Sequence, residues 1–497
     1  MSDSLKDKYP TLAPHQASLV DSILTTSAPK QIYLQAAAGT GATMAVCNAI
    51  AIGMEAGRFN RVLFFGRRAM LDHAKLTIED LSNGSPCFTL DGRSLKYLAA
   101  EADADSSIWP KRGVFLTSVP FACRAATDYG ILDVAWDLIV FDEEVRPNVP
   151  ADQRQFVETL TQVGATISVF VSRFDASVQR KLFQDNDADV IEVTWQPEQF
   201  QNWSGKRLTR PSVQWNVVEY EMSESETAFI DHFYSCRSAI DDIANSSAGE
   251  GRFMNFELLI HRATSSIYSL ERALMDAQKL IYNLRNAKAH GRGSGTLQQS
   301  LFDDEDFDPV ATQMDLFSES NSAEEIANLE SVIEGIDMML HDLERIETDE
   351  KLAALLRLLP SIESKHVVVM TRYSATLEFL ETAVEQEGMD LFTISGRSAI
   401  EERQAHFTSF CENGGLLIMT DAAMKGLEFP PTTAVIHYDL PLSPEMMFVR
   451  SARFRPYGES ATIQMYAIVE RNTPLSRVWR KMLSLAMELK EGSPDGA

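Results

Sequence analysis

Positive charge is what this chain has too little of. Its 497 residues carry 45 Lys and Arg against 71 Asp and Glu, a formal net charge of −26. That excess of acid excludes a surface that coats nucleic acid indiscriminately, because affinity for a phosphate backbone comes from cations; any such contact must sit in a local basic groove. Cysteine is scarce as well. Cys47, Cys87, Cys123, Cys236 and Cys411 are scattered with no CxxC or Cys/His spacing, so neither a zinc site nor a disulfide framework is indicated, and reduced, cytosolic thiols are expected. Met1 to Lys6 holds no apolar signal core, and there is no run of about 18 apolar residues, so neither secretion nor membrane spanning is expected.

What is present is globular. Hydrophobic residues make up 45% of the chain, enough for several cores, and the length predicts about two to four domains. From Leu12 to Thr194, short β-rich runs alternate with helical stretches: Gln31 to Leu34, Arg61 to Phe65, Gly113 to Thr117, Leu138 to Phe141, Ile167 to Val171 and Asp189 to Thr194. The same rhythm returns in His366 to Met370, Leu391 to Ile394, Leu416 to Met419, Ala434 to Tyr438 and Thr462 to Val469. Such alternation predicts parallel sheets covered on both faces, here as two α/β lobes.

Between the lobes helical periodicity takes over. Ser223 and Glu226 form a capping-box pattern. Ile260, Ile267, Leu270, Leu274, Ile281 and Leu284 mark one apolar stripe, and Ile326, Leu329, Ile333, Ile336, Leu340 and Leu343 a second with the alternating steps of a coiled-coil seam. Two such helices joined by a polar connection, residues 291–322, predict an antiparallel hairpin with a flexible tip, projecting from the body. The expected division is therefore 1–205, 206–360 and 361–497. From Arg252 to Arg292 there are seven Lys/Arg against three Asp/Glu, whereas Asp303 to Glu350 holds seventeen acids and one base, Arg345. A solvated helix face accounts for the basic segment, with a nucleic-acid-touching arm as the alternative.

Two segments carry chemistry. Gln35-Ala36-Ala37-Ala38-Gly39-Thr40-Gly41-Ala42-Thr43 follows an apolar strand and matches the Walker A pattern everywhere except at Ala42, where the pattern has lysine. In that pattern glycines let backbone N–H groups approach phosphates, the lysine neutralises the terminal phosphates and the hydroxyl binds magnesium. The second segment is Leu138-Ile139-Val140-Phe141-Asp142-Glu143-Glu144-Val145, an apolar strand ending in carboxylates. It can deliver Asp142 to a magnesium ion and Glu143 to an attacking water. No Ser/His/Asp or Cys/His arrangement is evident; His15, His366 and His437 read as structural residues, and Trp195, Phe200 and Trp203 as a packed connection after the first lobe.

Taken together, these segments resemble the superfamily 2 helicases and translocases, within them the Swi/Snf-like branch. Leu12-Ala13-Pro14-His15-Gln16 looks like the segment whose glutamine contacts adenine, Asp142-Glu143-Glu144-Val145 like the DExx box, and Arg61 to Leu71 with Gly113 to Ser118 like strand-contacting motifs. Val367 to Tyr373 resembles motif IV, Thr420-Asp421-Ala422-Ala423-Met424-Lys425-Gly426-Leu427-Glu428 motif V, and Val217 to Glu226 the entry to the helical insertion; Ile436 to Pro441 is also typical. The resemblance implies two RecA-like lobes with an α-helical hairpin insertion between them, ATP and Mg2+ held in the cleft, and DNA, most naturally duplex, across both lobes. It assigns Gln16, Gly39, Thr40, Gly41, Ala42 and Thr43 to nucleotide, Thr43 and Asp142 to magnesium, and Asp142, Glu143, Arg450 and Arg453 to catalysis.

Three departures stand against full activity. Ala42 removes the loop cation; Val171-Ser172-Arg173-Phe174 stands where motif III has Ser/Thr-Ala-Thr; and Val449-Arg450-Ser451-Ala452-Arg453-Phe454-Arg455-Pro456 lacks the glutamine and last arginine of motif VI. Two accounts are open: an active DNA-dependent ATPase stripped of its lysine, by engineering or otherwise, or a natural pseudo-ATPase that serves as a scaffold. Either way poor hydrolysis is expected, since one lost charge contact to the transition state costs roughly a hundredfold or more.

The connection holds an independent signal. Gln298-Gln299-Ser300-Leu301-Phe302 and Gln313-Met314-Asp315-Leu316-Phe317 resemble the short peptide by which bacterial proteins bind the replicative sliding clamp. There Gln298 and Gln313 would orient the peptide, while Leu301, Phe302, Leu316 and Phe317 fill an apolar pocket; the alternative is a small satellite core on the hairpin. Clamp recruitment implies a bacterial, nucleoid-associated protein acting in replication, repair or phage defence.

Overall fold

The computed structural model describes residues 2–25, 30–36, 39–66, 68–82, 84–101, 107–142, 150–163, 165–172, 176–183, 189–196, 200–237, 256–289, 323–388, 390–424, 427–431, 433–441, 444–455, 462–471 and 474–488. The first lobe runs α1 (Ser2–Lys8), α2 (Pro14–Thr25), β1 (Lys30–Ala36), α3 (Ala42–Glu55), β2 (Arg61–Phe65), α4 (Arg68–Leu81), β3 (Cys87–Thr89), α5 (Gly92–Glu101), β4 (Gly113–Thr117), α6 (Val119–Tyr129), β5 (Trp136–Phe141), α7 (Ala151–Val163), β6 (Ala165–Ser172), α8 (Ala176–Phe183) and β7 (Asp189–Trp195). Its strands form one parallel sheet in the order β3-β4-β2-β5-β6-β1-β7.

Side-chain alternation along each strand divides the core between the two faces of this sheet. Ile32, Leu34, Val62, Phe64, Leu138 and Val140 face one layer, with α2, α3 and α4 over it. Tyr33, Leu63, Phe65, Ile139, Phe141 and Phe170 face the other. On that second face the rings stack from strand to strand, Phe65 on Phe141 at 4.9 Å, Phe141 on Phe170 at 4.7 Å and Phe170 on Tyr33 at 4.8 Å, the spacing of neighbouring strands. Burial on both faces is why these strands read as continuous apolar runs.

β8 (Val213–Tyr220) opens the second lobe. It is followed by α9 (Glu224–Ser235), α10 (Phe256–Ser265), α11 (Ile267–Ala289), α12 (Ala323–Leu343) and α13 (Glu350–Leu358), then by β9 (His366–Thr371), α14 (Ser374–Gln386), β10 (Leu391–Ile394), α15 (Ile400–Asn413), β11 (Gly415–Thr420), β12 (Ala434–His437), α16 (Pro444–Ala452), β13 (Ile463–Glu470) and α17 (Pro474–Glu488). The second sheet is again parallel, in the order β10-β11-β9-β12-β13-β8. The molecule is thus an α/β protein of two RecA-like lobes with helices inserted between them.

The helical segment is narrower than the 206–360 expected from periodicity. β8 lies inside that range yet pairs with β13 from Val213↔Ile463 to Tyr220↔Glu470, and Ala354 and Leu355 of α13 pack in the second lobe's core with Val369 and Ile418. Between them the Ser223 capping box forms as read, with Ser223 Oγ accepting from Glu226 N and Glu226 Oε2 accepting from Ser223 N. α11 and α12 run antiparallel, as Arg285 pairs with Glu330 and Gln278 with Asp337, around a core that includes Leu270, Leu274, Ile281, Ile336 and Leu343. The base of this insertion is tied to the second lobe. Ser265 Oγ donates to Asp439 Oδ2 at 2.6 Å, Ser266 Oγ meets Thr376 Oγ1 at 2.9 Å, and Lys351 Nζ donates to the carbonyls of Thr264 and Ser265. Residues 291–322, including Gln298, Leu301, Phe302, Gln313, Leu316 and Phe317, lie outside the described residues.

Candidate nucleotide site between the lobes

In a parallel sheet the carboxyl ends of the strands all open on one edge, where ligands bind. β1 and β5 flank β6 in the sheet order, so the turn after β1 and the acidic residue after β5 emerge close together. Their meeting point is the centre of the candidate site: Thr43 Oγ1 donates to Asp142 Oδ2 at 2.6 Å. Asp142 is 8% exposed and is anchored by its own N–H on the Phe65 carbonyl at 2.9 Å. The negative charge of Asp142 adds to burial in pushing the Cys47 thiol up.

The loop before α3 has the backbone of a phosphate cradle. Gly39 has φ 76 and Gly41 φ 79, left-handed values open to glycine and costly for other residues. Gly41 caps α3 with no side-chain bond of its own, which leaves the helix's first N–H groups facing the loop mouth. A Cβ on Gly41 would lie 2.0 Å from Gln16 Nε2, because the Gln16 amide crosses the loop, accepting from Ala13 N at 3.0 Å and donating to the Thr40 carbonyl at 3.3 Å. The neighbouring His15 also reaches Thr40 O through Nε2 at 3.3 Å. Its ring stacks on Phe200 at 4.1 Å and meets Trp195 edge-on at 4.7 Å, and burial pulls its imidazole down from the usual value. Trp195 and Phe200 are buried in the first lobe's core and Trp203 Nε1 donates to Leu12 O, so these aromatics are the packed connection their sequence suggested.

An O-donor pair made of one hydroxyl and one buried carboxylate suits Mg2+, and the positive-φ glycines suit phosphate. Ala42, the first residue of α3, packs its methyl on the lobe's apolar core and offers no charge. Glu143 to Val145 and Arg173 with Phe174 lie outside the described residues.

The second lobe reaches the loop through the end of α16. A Cβ on Gly39 would lie 3.3 Å from the Ala452 carbonyl oxygen and 3.5 Å from Arg210 Nη2. Arg453, next in the chain, is half-buried and its charge, with that of Arg403 and after burial, lowers the imidazole of His73 on α4. Arg450 lies inside the second lobe. It is 2% exposed and bound within its own lobe, Nε to Asp421 Oδ1 at 2.6 Å, Nη2 to Asp421 Oδ2, and Nη1 to the Asp439 carbonyl at 2.6 Å. Those bonds tie its guanidinium to Asp421 and Asp439 within the second lobe. Asp439 is the hub of this network, accepting also from Thr371 Oγ1 at 2.7 Å and Arg372 N at 3.0 Å.

The architecture is that of a two-lobed α/β protein with a cleft at the carboxyl ends of parallel strands. Residues 350–456 match the family described as "Helicase conserved C-terminal domain". A DEAD-box ATP-dependent RNA helicase 5 from Arabidopsis thaliana is 31% identical over 130 residues, 26% of this chain and 23% of that protein. DEAD-box ATP-dependent RNA helicase 29 from Oryza sativa subsp. indica is also 31% identical over 130 residues, 25% of this chain and 15% of that protein. This chain therefore spans less than a quarter of the length of these relatives. Among solved structures, Dbp5 of S. cerevisiae bound to RNA and ADP BeF3 aligns with TM-score 0.48 and 10% identity over 98% of this chain and 94% of that one. The helicase domain of Pyrococcus furiosus Hef aligns with TM-score 0.45 and 13% identity over 96% and 98%. The match to the helicase C-terminal domain family thus falls on the second lobe, from α13 to the end of α16.

Proposed function

We propose that this protein binds ATP with Mg2+ in the cleft and couples that binding to a grip on nucleic acid, as a Swi/Snf-like DNA translocase held at the chemical step by Ala42. The observation that carries the reading is the Thr43–Asp142 contact at 2.6 Å, which joins the hydroxyl of one nucleotide motif to the carboxylate of the other. When bound, the nucleotide would bring the negative charge of its triphosphate and Mg2+ would neutralise part of it. Gly39 and Gly41 admit the phosphates to the loop backbone, Thr43 and Asp142 hold the metal, and Gln16 fixes the loop from above. Duplex DNA is the substrate favoured by the motif V string Thr420 to Glu428 and by the entry to the insertion at Val217 to Glu226. The clamp-like peptides at Gln298 to Phe302 and Gln313 to Phe317 support recruitment to a sliding clamp. RNA is the second reading, favoured by the relatives that match the second lobe, and a non-hydrolysing scaffold is the third, favoured by Ala42.

The test is turnover and binding measured together. ATP hydrolysis by the chain and by Ala42→Lys is followed with duplex DNA, single-stranded DNA and RNA. DNA-stimulated turnover in Ala42→Lys and little in the parent supports the translocase. Stimulation by RNA alone moves the substrate to RNA, and nucleic-acid binding with no turnover in either protein leaves the scaffold. Clamp affinity that is absent, or unchanged when Leu301, Phe302, Leu316 and Phe317 become alanine, removes that partner.

A further inference from the structure

The loop without a lysine has a different cation beside it. Arg210 belongs to the segment that leaves the first lobe after β7 and enters β8, and its Nη2 lies 3.5 Å from where a Cβ on Gly39 would be. The guanidinium therefore rests on the backbone of the phosphate loop itself. The segment that carries it is tied down at both ends. Upstream, Leu208 N donates to the carbonyl of the buried Phe200 at 2.8 Å, Gln201 and Arg207 form an antiparallel bridge, and Asn202 Oδ1 closes the turn by accepting from Ser204 N at 3.0 Å and Lys206 N at 2.9 Å. Downstream, Arg455 Nε donates to the Pro211 carbonyl at 2.9 Å, and Ile463 N donates to Ser212 O at 2.9 Å as the β8–β13 ladder begins. Arg210 is thus placed at the loop by the fold, between an anchor in the first lobe and one in the second.

We infer that Arg210 is the phosphate-binding cation of this site, supplying from the interlobe segment the charge that Ala42 does not supply from α3. The inference rests on the nucleotide reading above and names a residue for it. A guanidinium is always charged and presents a planar fork that bonds two phosphate oxygens at once, so it can serve where an ammonium ordinarily does. The metal and the loop N–H groups neutralise part of a triphosphate, and Asp142 adds negative charge of its own; a further cation at Gly39 balances the remainder. The origin of the charge has a consequence. A lysine on α3 would belong wholly to the first lobe, whereas Arg210 is followed by Pro211, whose carbonyl Arg455 of the second lobe holds, so triphosphate binding depends on how the lobes are held together.

The experiment titrates the full chain with the non-hydrolysable triphosphate analogue AMP-PNP plus Mg2+, and separately with AMP. The proteins are the parent, Arg210→Ala, Arg210→Lys, Ala42→Lys and the double variant Ala42→Lys/Arg210→Ala. Expected is a loss of about tenfold or more in AMP-PNP affinity for Arg210→Ala, an intermediate value for Arg210→Lys, unchanged AMP affinity in both, and recovery in the double variant because the α3 lysine restores the charge. Equal weakening of AMP and AMP-PNP with no rescue by Ala42→Lys marks a merely structural role and overturns the inference. Unchanged AMP-PNP affinity in Arg210→Ala overturns it while leaving the nucleotide site standing. If neither the parent nor Ala42→Lys binds AMP-PNP, the nucleotide reading itself fails and the inference with it.

Discussion

Arg450 Nε lies 2.6 Å from Asp421 Oδ1, and the arginine is 2% exposed. The pair joins the turn after β11 to α16, and through Asp439 it reaches Ser265 at the base of the insertion. Removing one member of a buried pair leaves the other charge uncompensated, which costs about 3–5 kcal/mol. Arg450→Met is expected to lower the unfolding free energy of the second lobe by that order in urea denaturation. An Arg450→Met protein as stable as the parent would show that the network does not hold the lobe.

Thr43 and Asp142 make a sharper functional prediction. Thr43→Ala removes the hydroxyl and Asp142→Asn the charge, and each is expected to lower Mg2+-dependent AMP-PNP affinity by roughly 10–100-fold. Thr43→Ser keeps the hydroxyl and should retain most of the affinity. Isothermal titration with and without Mg2+ checks the split. Equal affinity of Thr43→Ala and the parent in Mg2+ removes the metal assignment.

Gly41 is fixed by two independent constraints, φ 79 and the Gln16 amide 2.0 Å from a prospective Cβ. Gly41→Ala pays the left-handed backbone cost of about 1–2 kcal/mol and must displace Gln16 from Thr40 O. Lost AMP-PNP binding with a thermal midpoint only slightly lowered is expected. Gly57, at φ 67 with nothing within 4 Å of its prospective Cβ, is the control: alanine there carries the backbone cost alone and should leave nucleotide binding intact.

Lys351 sets a pH dependence. Burial pulls its ammonium down to about 8, partly opposed by the charges of Asp439, Asp349 and Glu470, while in the unfolded chain it titrates near its ordinary value of about 10.4. Between those values the unfolded chain holds a proton that the folded chain has released, so stability rises with pH across the window. The unfolding free energy of the parent minus that of Lys351→Met should therefore grow from pH 8 towards pH 10.4 and stay level below pH 8. A flat difference throughout shows that Lys351 does not titrate with folding.

Much of the scaffold could be read directly, because buried parallel strands advertise themselves as apolar runs. Arg61–Phe65, Gly113–Thr117 and Leu391–Ile394 are strands with the limits read from sequence. β3, at three residues, is too short for any period to register. β8 alternates apolar and polar residues, but what makes it part of the second sheet is a partner, β13, some 250 positions away, and pairing over that distance leaves no local mark.

The sequence by itself determined the glycines of the loop before α3, the hydroxyl at Thr43, the carboxylate at Asp142 and the absence of charge at Ala42, since each is a matter of residue type within one short segment. Tertiary structure alone decided which side chains meet, bringing Thr43 to Asp142 across 99 positions. It buried Arg450 against Asp421 within the second lobe, where charge must be paired, and it carried Arg210 to Gly39 by anchoring the interlobe segment at Phe200 and Arg455. The physical reason is that an arginine's role is set by the carboxylates and carbonyls that surround it, and those come from strands and helices far apart in the chain.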